Sequence, residues 1–265
     1  MASSSSRDFG DENGNSRAFT ILVEGNIASG KTSLLRYLGK HHADQIEVFA
    51  EPVQKWRDVN GHNIFGLMYK DPSRWGLTFQ TYVQLTMLQV HLRKTNRPFK
   101  IMERSIFSAK QIFVDNLRNS DIMPAAEHTV LTEWFNFLDQ QFNLTPDLIV
   151  YLRTSPAVCH ERVQLRQRAE ESVVTLEFLD TLHALHERWL CSDKDVVRLT
   201  ADRWMPRSNV LEINGNLSQH EMSSEYERLS EILLREQTTR KPNHPEKRAA
   251  MQTVQVRPAA VAYNA

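Results

Sequence analysis

A glycine-rich segment near the N-terminus contains the residue types that bind phosphate. It reads GNIASGKTS and fits the pattern G-x-x-x-x-G-K-[ST]. The glycines let successive backbone N–H groups curve around a phosphate, and the start of the following helix adds positive potential. Lys31 can then reach the β- and γ-phosphates, and the Thr32 hydroxyl can ligate Mg²⁺. We therefore predict that ATP or GTP binds to Gly25, Asn26, Ile27, Ala28, Ser29, Gly30, Lys31, Thr32 and Ser33.

Charged residues end two further strand-like runs. Glu51 is followed by Pro52, which stops a helix from continuing there and keeps the carboxylate at the edge of the sheet. That carboxylate could take a proton from an attacking hydroxyl group. Glu103 could hold Mg²⁺, and Arg104 is expected to pair with Glu51 and lower its pKa. The alternative is a structural ion pair between neighbouring strand ends.

Apolar and amide side chains recur at helical spacing in the segments before and after the strand-like run that contains Glu103. Gln80, Val83 and Met87 fall at i, i+3 and i+7, so they share one helix face. Ala109 and Phe113 stand one turn apart and leave a small gap beside an aromatic surface. Core packing explains each apolar residue singly, but a buried amide such as Gln80 needs a hydrogen-bond partner. With Trp56, Tyr69 and Phe79 they predict a slot for a flat ring.

An arginine-rich stretch follows the fourth strand-like run. Arg162, Arg166 and Arg168 lie close together in the sequence ERVQLRQRAEES. A solvated helix face is the alternative, but after a phosphate loop the cluster predicts a lid that neutralises phosphate charge. Glu170 and Glu171 are not phosphate binders, so we expect one of them to face the acceptor.

Five strand-like runs must position these side chains. They are separated by helical patterns long enough for crossovers, which predicts a doubly wound α/β fold with helices on both faces. Ligands of such a sheet bind at the carboxyl ends of its strands, where the charged residues above are placed. The predicted parallel strands cover residues 19–24, 46–51, 100–105, 148–153 and 209–214.

Composition limits the classes of function. The chain has 265 residues, and its 32 Lys and Arg balance its 32 Asp and Glu, which disfavours a nucleic-acid partner. Cys159 and Cys191 cannot form a disulfide framework, so a reducing compartment is predicted. No run of about 18 apolar residues occurs, so no membrane span is expected.

The two ends and one internal segment do not fit the alternating pattern. We predict a disordered leader over 1–18, one α/β domain over 19–236 and a disordered tail over 237–265. Acidic residues in the leader argue against a mitochondrial transit peptide, so a cytoplasmic or nuclear location is expected. Residues 192–208 are predicted to form a long surface insertion before the last strand.

The chain resembles the deoxyribonucleoside kinases, the group that includes deoxycytidine kinase, deoxyguanosine kinase and mitochondrial thymidine kinase. The resemblance runs from about Phe19 to Trp189. It rests on the segments GNIASGKT, EPVQKW, MYKDP, FQTYVQLTMLQ, MERSIFSAKQIFV, YLRTSP and RQRAEES, which occur in the family's order. It implies a P-loop kinase fold with an arginine-rich lid, and transfer of the ATP γ-phosphoryl group to a deoxyribonucleoside 5′-hydroxyl.

The resemblance also implies roles on the acceptor side. Glu51 matches the general base on the 5′-hydroxyl, and Arg104 matches the arginine that steadies this base. Tyr69 and Glu171 match the pair that holds the sugar 3′-hydroxyl. Gln80 matches the residue that bonds the edge of the base. Phe113 matches the stacking residue, and the walls match Ile27, Trp56, Met68, Phe79, Val83, Met87 and Ala109.

On the donor side the resemblance implies ATP and Mg²⁺ as cofactors. Arg166 and Arg168 match the lid arginines on the phosphates, and Arg162 matches the arginine against the donor adenine. Thr32 and Glu103 match the magnesium side. Members of the family are homodimers joined through a helical bundle, and an end-product triphosphate, here dTTP, inhibits them.

The resemblance also implies a substrate preference, through two positions of the predicted base pocket. Members restricted to deoxycytidine and purines have an arginine and an aspartate where this chain has Met87 and Ala109. We therefore expect broad activity with pyrimidines such as thymidine and deoxycytidine preferred, or else a kinase restricted to these two. A nucleoside monophosphate kinase would need cations for its acceptor phosphate. A GTPase switch would ordinarily show N-K-x-D, which is absent.

Overall fold

Seven strands occur in the computed structural model, which describes residues 17–192, 195–200 and 203–239. Five of them form one parallel sheet in the order β2-β3-β1-β4-β7, and β5 and β6 form a separate antiparallel hairpin. In chain order the strands are β1 (Phe19–Glu24), β2 (Ile46–Phe49), β3 (Phe99–Glu103), β4 (Leu148–Arg153), β5 (Val196–Arg198), β6 (Trp204–Pro206) and β7 (Val210–Asn214).

Helices connect the strands and surround the sheet. They are α1 (Lys31–His41), α2 (Val53–Arg57), α3 (Ile64–Lys70), α4 (Pro72–Leu92), α5 (Ile106–Ser108), α6 (Asp115–Asn119), α7 (Ala125–Gln141), α8 (Pro156–Arg166), α9 (Leu176–Leu190) and α10 (Gln219–Thr239). A π-helical stretch (Ala109–Val114) joins α5 to α6 without a break, and a 3₁₀ turn (Ala169–Val173) joins α8 to α9.

The burial of β1 shows that the sheet is covered on both faces. All six residues of this central strand are buried, and successive side chains of a strand point to opposite faces. Ile21, Leu22 and Val23 are fully inaccessible to solvent. The predicted parallel α/β sheet is confirmed, and its five strands coincide with the five predicted runs to within two residues at each end. The carboxyl ends of β2, β3 and β1 therefore lie side by side.

The prediction of a surface insertion over 192–208 is wrong. The described part of this segment forms the β5–β6 hairpin, and Val197, Leu199 and Met205 belong to the main hydrophobic core. Trp189 of α9 also donates its indole N–H to the carbonyl oxygen of Arg198 at 2.9 Å. The hairpin alternates exposed and buried residues, so one of its faces packs inward.

Arg203 fixes this hairpin to the end of α7. Its guanidinium lies 3.0 Å from the Asp139 carboxylate and donates to the Asn143 side chain at 3.2 Å. The same guanidinium donates to the hydroxyl of Thr145. Thr200 donates a further bond to Asp139 at 3.1 Å. The hairpin is thus attached by buried apolar side chains and by a polar cluster.

The predicted leader and tail lie almost wholly outside the described residues. Only positions 17 and 18 of the leader, and 237–239 of the tail, are described, and the latter continue α10. The chain groups into two units, Met1–Tyr226 and Glu227–Ala265, and the second is described only over its helical residues 227–239. None of the helices described is both long enough and apolar enough to cross a membrane.

Candidate active site

The glycine-rich loop connects β1 to α1 at the carboxyl edge of the sheet. Gly30 precedes α1 with φ 103°, in the left-handed region that favours glycine. Gly25 has φ 147°, and a Cβ built there would lie 2.8 Å from the carbonyl oxygen of Leu152. Asn26 is buried and donates its side-chain amide to the carbonyl oxygen of Leu179 at 2.8 Å. The loop is therefore held by close packing against β4 and α9.

Lys31 lies inside this loop. Its ammonium group donates to the carbonyl oxygens of Gly25 at 3.1 Å and Asn26 at 2.6 Å. Burial, together with the charge of Arg104, lowers the pKa of Lys31. A bound anion would favour the charged form, so the loop forms a cationic cradle that an anion would strengthen.

Two side-chain pairs lie at the ends of β2 and β3. The Thr32 hydroxyl at the start of α1 donates to the Glu103 carboxylate at 2.6 Å. The Arg104 guanidinium lies 3.2 Å from the Glu51 carboxylate and also donates to the carbonyl oxygen of Gly25 at 3.0 Å. Arg104 thus connects the acidic strand end to the phosphate-type loop.

Arg104 pairs with Glu51 and its charge lowers the pKa of this carboxyl group, as expected, but the net shift is upward. Burial raises the pKa of Glu51 above its ordinary value of 4.5, and the Arg104 charge opposes this only in part. The side chain is one-fifth exposed, so the carboxylate reaches the cavity while most of its water has been removed.

Glu24 was not predicted as a site residue, but it hydrogen bonds the residue that follows Arg104. It ends β1, is fully buried, and accepts a 2.5 Å hydrogen bond from the Ser105 hydroxyl. Burial raises its pKa to about 7. The Ser105 hydroxyl in turn accepts a hydrogen bond from the N–H of Ser108. Arg104, directly before Ser105, adopts a left-handed φ of 61°. The signal in the sequence was an acid as the last residue of a largely apolar strand-like run.

Aromatic and apolar residues of α2, α3 and α4 form one wall beside these charges. Trp56 packs edge-on against Phe79 with ring centroids 5.5 Å apart, and its indole N–H bonds the Thr86 hydroxyl at 2.8 Å. Gln80 is buried, and its side-chain oxygen has no hydrogen-bond partner in the part of the chain that the structure describes. Such an amide is costly unless a ligand bonds it.

The opposite wall comes from the π-helical stretch. Ala109 begins this stretch, and Phe113 lies within it with the Arg104 guanidinium 4.8 Å from the centre of its ring. A π-helical turn is wider than an α-helical turn and is frequent at functional sites. The cation over one side of Phe113 holds the ring in place.

Arginines of α8 and of the segment that follows it lie at the same cavity as the loop. Arg166 contacts the buried Glu171 carboxylate through two nitrogens at 2.6 and 2.5 Å, and Arg168 does so at 3.3 Å. Arg162 instead donates to the carbonyl oxygens of Gly215 and Leu217 at 2.9 and 3.1 Å. The three arginines therefore do not converge on one point, although all three border the same cavity.

One cavity of about 740 Å³ collects nearly all the predicted site residues. Gly25 and Asn26 do not line it; Gly25 packs against Leu152, and Asn26 bonds the carbonyl oxygen of Leu179. The predicted residues that line it are Ile27, Ala28, Ser29, Gly30, Lys31, Thr32, Ser33, Glu51, Trp56, Met68, Tyr69, Phe79, Gln80, Val83, Met87, Glu103, Arg104, Ala109, Phe113, Arg162, Arg166, Arg168 and Glu171. Lining residues that the sequence reading missed include Arg36, Phe65, Phe178, Leu217, Met222 and Tyr226.

The sequence is similar to those of several known proteins. The profile of the deoxynucleoside kinase family matches residues 21–235. Thymidine kinase 2, mitochondrial, of Homo sapiens is 54% identical over 170 residues, which is 64% of this chain and 63% of that relative. Deoxycytidine kinase 2 of Gallus gallus is 34% identical over 230 residues, covering 78% of this chain and 86% of the relative.

A third relative is also a deoxycytidine kinase. Deoxycytidine kinase of Homo sapiens is 37% identical over 194 residues, covering 64% of this chain and 74% of the relative. The match to human thymidine kinase 2 spans less than two thirds of that protein's length. The family profile, by contrast, covers most of this chain, including the glycine-rich loop, both strand-end pairs and the arginine-rich segment. The chain therefore belongs to the deoxynucleoside kinase family and has its P-loop α/β fold.

Proposed function

We propose that this chain is an enzyme that transfers the γ-phosphoryl group of ATP to the 5′-hydroxyl of deoxyribonucleosides. The observation that carries the proposal is a single cavity. It has a cationic glycine loop on one side, and on the other a carboxylate beside a slot that could hold a flat ring. The charges of Lys31 and Glu51 are close enough to influence each other's pKa. A donor phosphate and an acceptor hydroxyl would therefore meet between them.

Glu51 is proposed as the general base. Its carboxylate lies at the cavity, and its raised pKa brings it closer to neutral pH, which suits proton transfer from a hydroxyl group. Arg104 holds the carboxylate by the 3.2 Å contact and would keep it aimed at the 5′-oxygen. The proton would pass from the nucleoside hydroxyl to Glu51 as that oxygen attacks the γ-phosphorus in line with the leaving group.

The residues on the donor side fit a magnesium nucleotide. Thr32 and Glu103 supply two oxygens within 2.6 Å of each other, and Mg²⁺ in kinases takes its other ligands from phosphates and water. Among the residues described, no three His, Cys, Asp or Glu side chains group into a metal site of their own. When bound, the ion would offset charge on the phosphates. Lys31, Arg166 and Arg168 are proposed to do the same from the protein side.

The acceptor slot supports a nucleoside rather than a nucleotide. The side-chain oxygen of Gln80 has no partner among the residues described, and an amide can bond a base edge in either orientation; Phe113 offers a ring for stacking. Tyr69 and Glu171 are proposed to hold the sugar 3′-hydroxyl. The cavity residues that α2, α3 and α4 contribute to this wall include no cationic side chain for an acceptor phosphate.

We propose broad specificity with thymidine and deoxycytidine preferred. Met87 and Ala109 are small or flexible, and both line the slot, so a thymine methyl group has room. The name of the human relative with 54% identity, thymidine kinase 2, favours thymidine as one substrate. Restriction to these two pyrimidines is the second candidate, because deoxycytidine kinases are also among the relatives.

A homodimer is proposed through α4 and α7, which contact each other. Val130, Trp134 and Phe137 share one face of α7 and are about half exposed. Leu85 and Leu92 are exposed to a similar degree on α4. Burying these side chains against a second copy would remove a large apolar patch from water. Sedimentation of the wild-type protein and of W134E would test this.

We further propose that residues 19–236 form the kinase domain. We also propose that dTTP is a feedback inhibitor, and steady-state inhibition would test this. We also propose a cytoplasmic or nuclear location, supported by the acidic residues Asp8, Asp11 and Glu12. The word mitochondrial in the name of the human relative points the other way, and imaging of the full chain would decide.

The proposed activity is tested with a panel of four deoxynucleosides. Each is incubated with the protein and Mg-ATP, and the monophosphate formed is measured. We expect product from thymidine and deoxycytidine at the highest rates. Product from nucleoside monophosphates alone, or ATP hydrolysis without any acceptor, would overturn the proposal.

A further inference from the structure

Glu170 of the 3₁₀ turn hydrogen bonds Arg57 of α2 and not the arginines of its own segment. Its carboxylate accepts two bonds from Arg57, at 2.8 Å from Nε and 3.0 Å from a terminal nitrogen. Two parallel bonds fix the relative orientation of the two groups as well as their distance. The side chains are only 27% and 14% exposed, so solvent screens the pair less than an ordinary surface pair.

The turn that contains Glu170 contacts two of the three helices of the aromatic wall, α2 and α3. Arg57 ends α2, directly after Trp56. The turn also packs against α3, which Asn63 caps by accepting from the N–H of Gly66 at 2.8 Å. This helix carries Tyr69. The turn is thus attached to α2 through the Glu170 carboxylate and lies against α3.

The next residue along the chain, Glu171, contacts the opposite side. It pairs with Arg166 and Arg168, and its N–H donates to the carbonyl oxygen of Arg168 at 3.0 Å. Because the two acids are adjacent in a tight turn, fixing one carboxylate restricts the position of the other. Anchoring Glu170 to the wall therefore sets how far Glu171 lies from Tyr69.

We propose that Arg57 and Glu170 form a positioning pair that docks the arginine-rich segment onto the nucleoside wall and so places Glu171 for the sugar. The proposal rests on the proposed function, because it assigns the pair an effect on the acceptor nucleoside. Neither residue lines the cavity, so the pair acts through Glu171 and not by touching the substrate. Its loss should weaken nucleoside binding more than ATP binding.

A double-mutant cycle tests the pair. R57A, E170A and R57A/E170A are assayed with thymidine and Mg-ATP. We expect each single change to raise the KM for thymidine about tenfold while the KM for ATP stays within about twofold. The double variant should be no worse than the worse single variant, because both changes remove the same contact.

R153A is the matched control. Arg153 also forms a two-bond pair with a carboxylate, at 3.1 and 2.6 Å from Glu187, but lies outside the cavity. Its KM for thymidine should equal that of the wild type. An unchanged KM in E170A, or log KM effects of the single changes that add in the double variant, would overturn the positioning role.

A second measurement separates this inference from the proposed activity. If the wild-type protein phosphorylates none of the four deoxynucleosides, the proposed function fails. Hydrogen exchange of the peptide covering 167–174 then still tests the docking. Faster exchange in both R57A and E170A, but not in R153A, supports docking through this pair, and unchanged exchange overturns it.

Discussion

The two sides of the cavity are built in different ways. The glycine loop comes from one continuous stretch, 25–33, and is held by backbone contacts and buried groups such as the bond from Asn26 to Leu179. The nucleoside side is assembled from residues between Glu51 and Glu171, and partly exposed ion pairs connect its parts. A local, close-packed loop tolerates little change, whereas a wall assembled from distant segments can be tuned one contact at a time.

The largest expected effect tests whether the reacting group belongs to the nucleoside side. E51Q should lower kcat by about 100-fold or more, because an amide cannot accept the proton from the hydroxyl group. The KM values should change less, since the side chain keeps its shape. Steady-state rates with thymidine and Mg-ATP measure this.

E47Q is the control for that change, because Glu47 lies on the same strand, β2, and does not border the cavity. It should leave kcat unchanged. Turnover by E51Q close to that of the wild type would mean that the nucleoside side only binds and does not react.

The second prediction concerns the rigidity of the glycine loop. G25A should lower the free energy of unfolding by about 2 to 3 kcal/mol, because its Cβ meets the Leu152 backbone and its φ of 147° disfavours a side chain. G30A should lose about 1 to 2 kcal/mol, since a Cβ there meets nothing within 4 Å and only the backbone is strained. Urea denaturation measures both, and equal losses would argue against close packing at Gly25.

The third prediction separates both sides from the hairpin. R203L should lower the free energy of unfolding by about 2 kcal/mol, because it leaves the buried Asp139 carboxylate without its cation. The KM values for thymidine and ATP should stay the same, because neither residue borders the main cavity. A changed KM for thymidine would extend the nucleoside side to the hairpin.

The smallest expected effect is a shift in pH dependence. The pKa of Glu51 is raised by burial, so its carboxylate forms only as pH rises through a value above 4.5. Activity on thymidine should therefore fall about tenfold per pH unit below that raised pKa, and the fall should begin above 4.5. E51Q should lose this acid limb, and a limb that persists in E51Q would assign it to another group.

The sequence was sufficient for the sheet and the loop because both depend on local pattern. Continuous apolar runs such as residues 148–153 are typical of strands covered on both faces, and β4 occupies that range. The glycine spacing similarly located the turn between β1 and α1. Neither inference needed a partner from a distant part of the chain.

Features that depend on distant partners could not be read in this way. The hairpin was taken for surface because its charged residues hide the alternation of Val197 and Leu199, and its anchor Arg203 is 64 residues from Asp139. The net upward shift of the Glu51 pKa could not be foreseen either, since the sequence shows the neighbouring arginine but not the burial. The sequence also does not indicate the two backbone oxygens that Arg162 bonds, which lie 53 and 55 residues further on.

The π-helical stretch has a consequence for changes in chain length. A wide turn accommodates one more residue than an ordinary turn, so deleting one residue between 109 and 114 could restore α-helical winding without breaking the helix. Because the wide turn takes up the extra residue, the α-helical segments on either side would keep their direction, and the change would be confined to the stretch itself. A deletion at position 110, 111 or 112 would leave Ala109 and Phe113 three positions apart instead of four, so the slot would change shape while the helix survived. The length of this stretch, as much as its composition, therefore encodes the pocket.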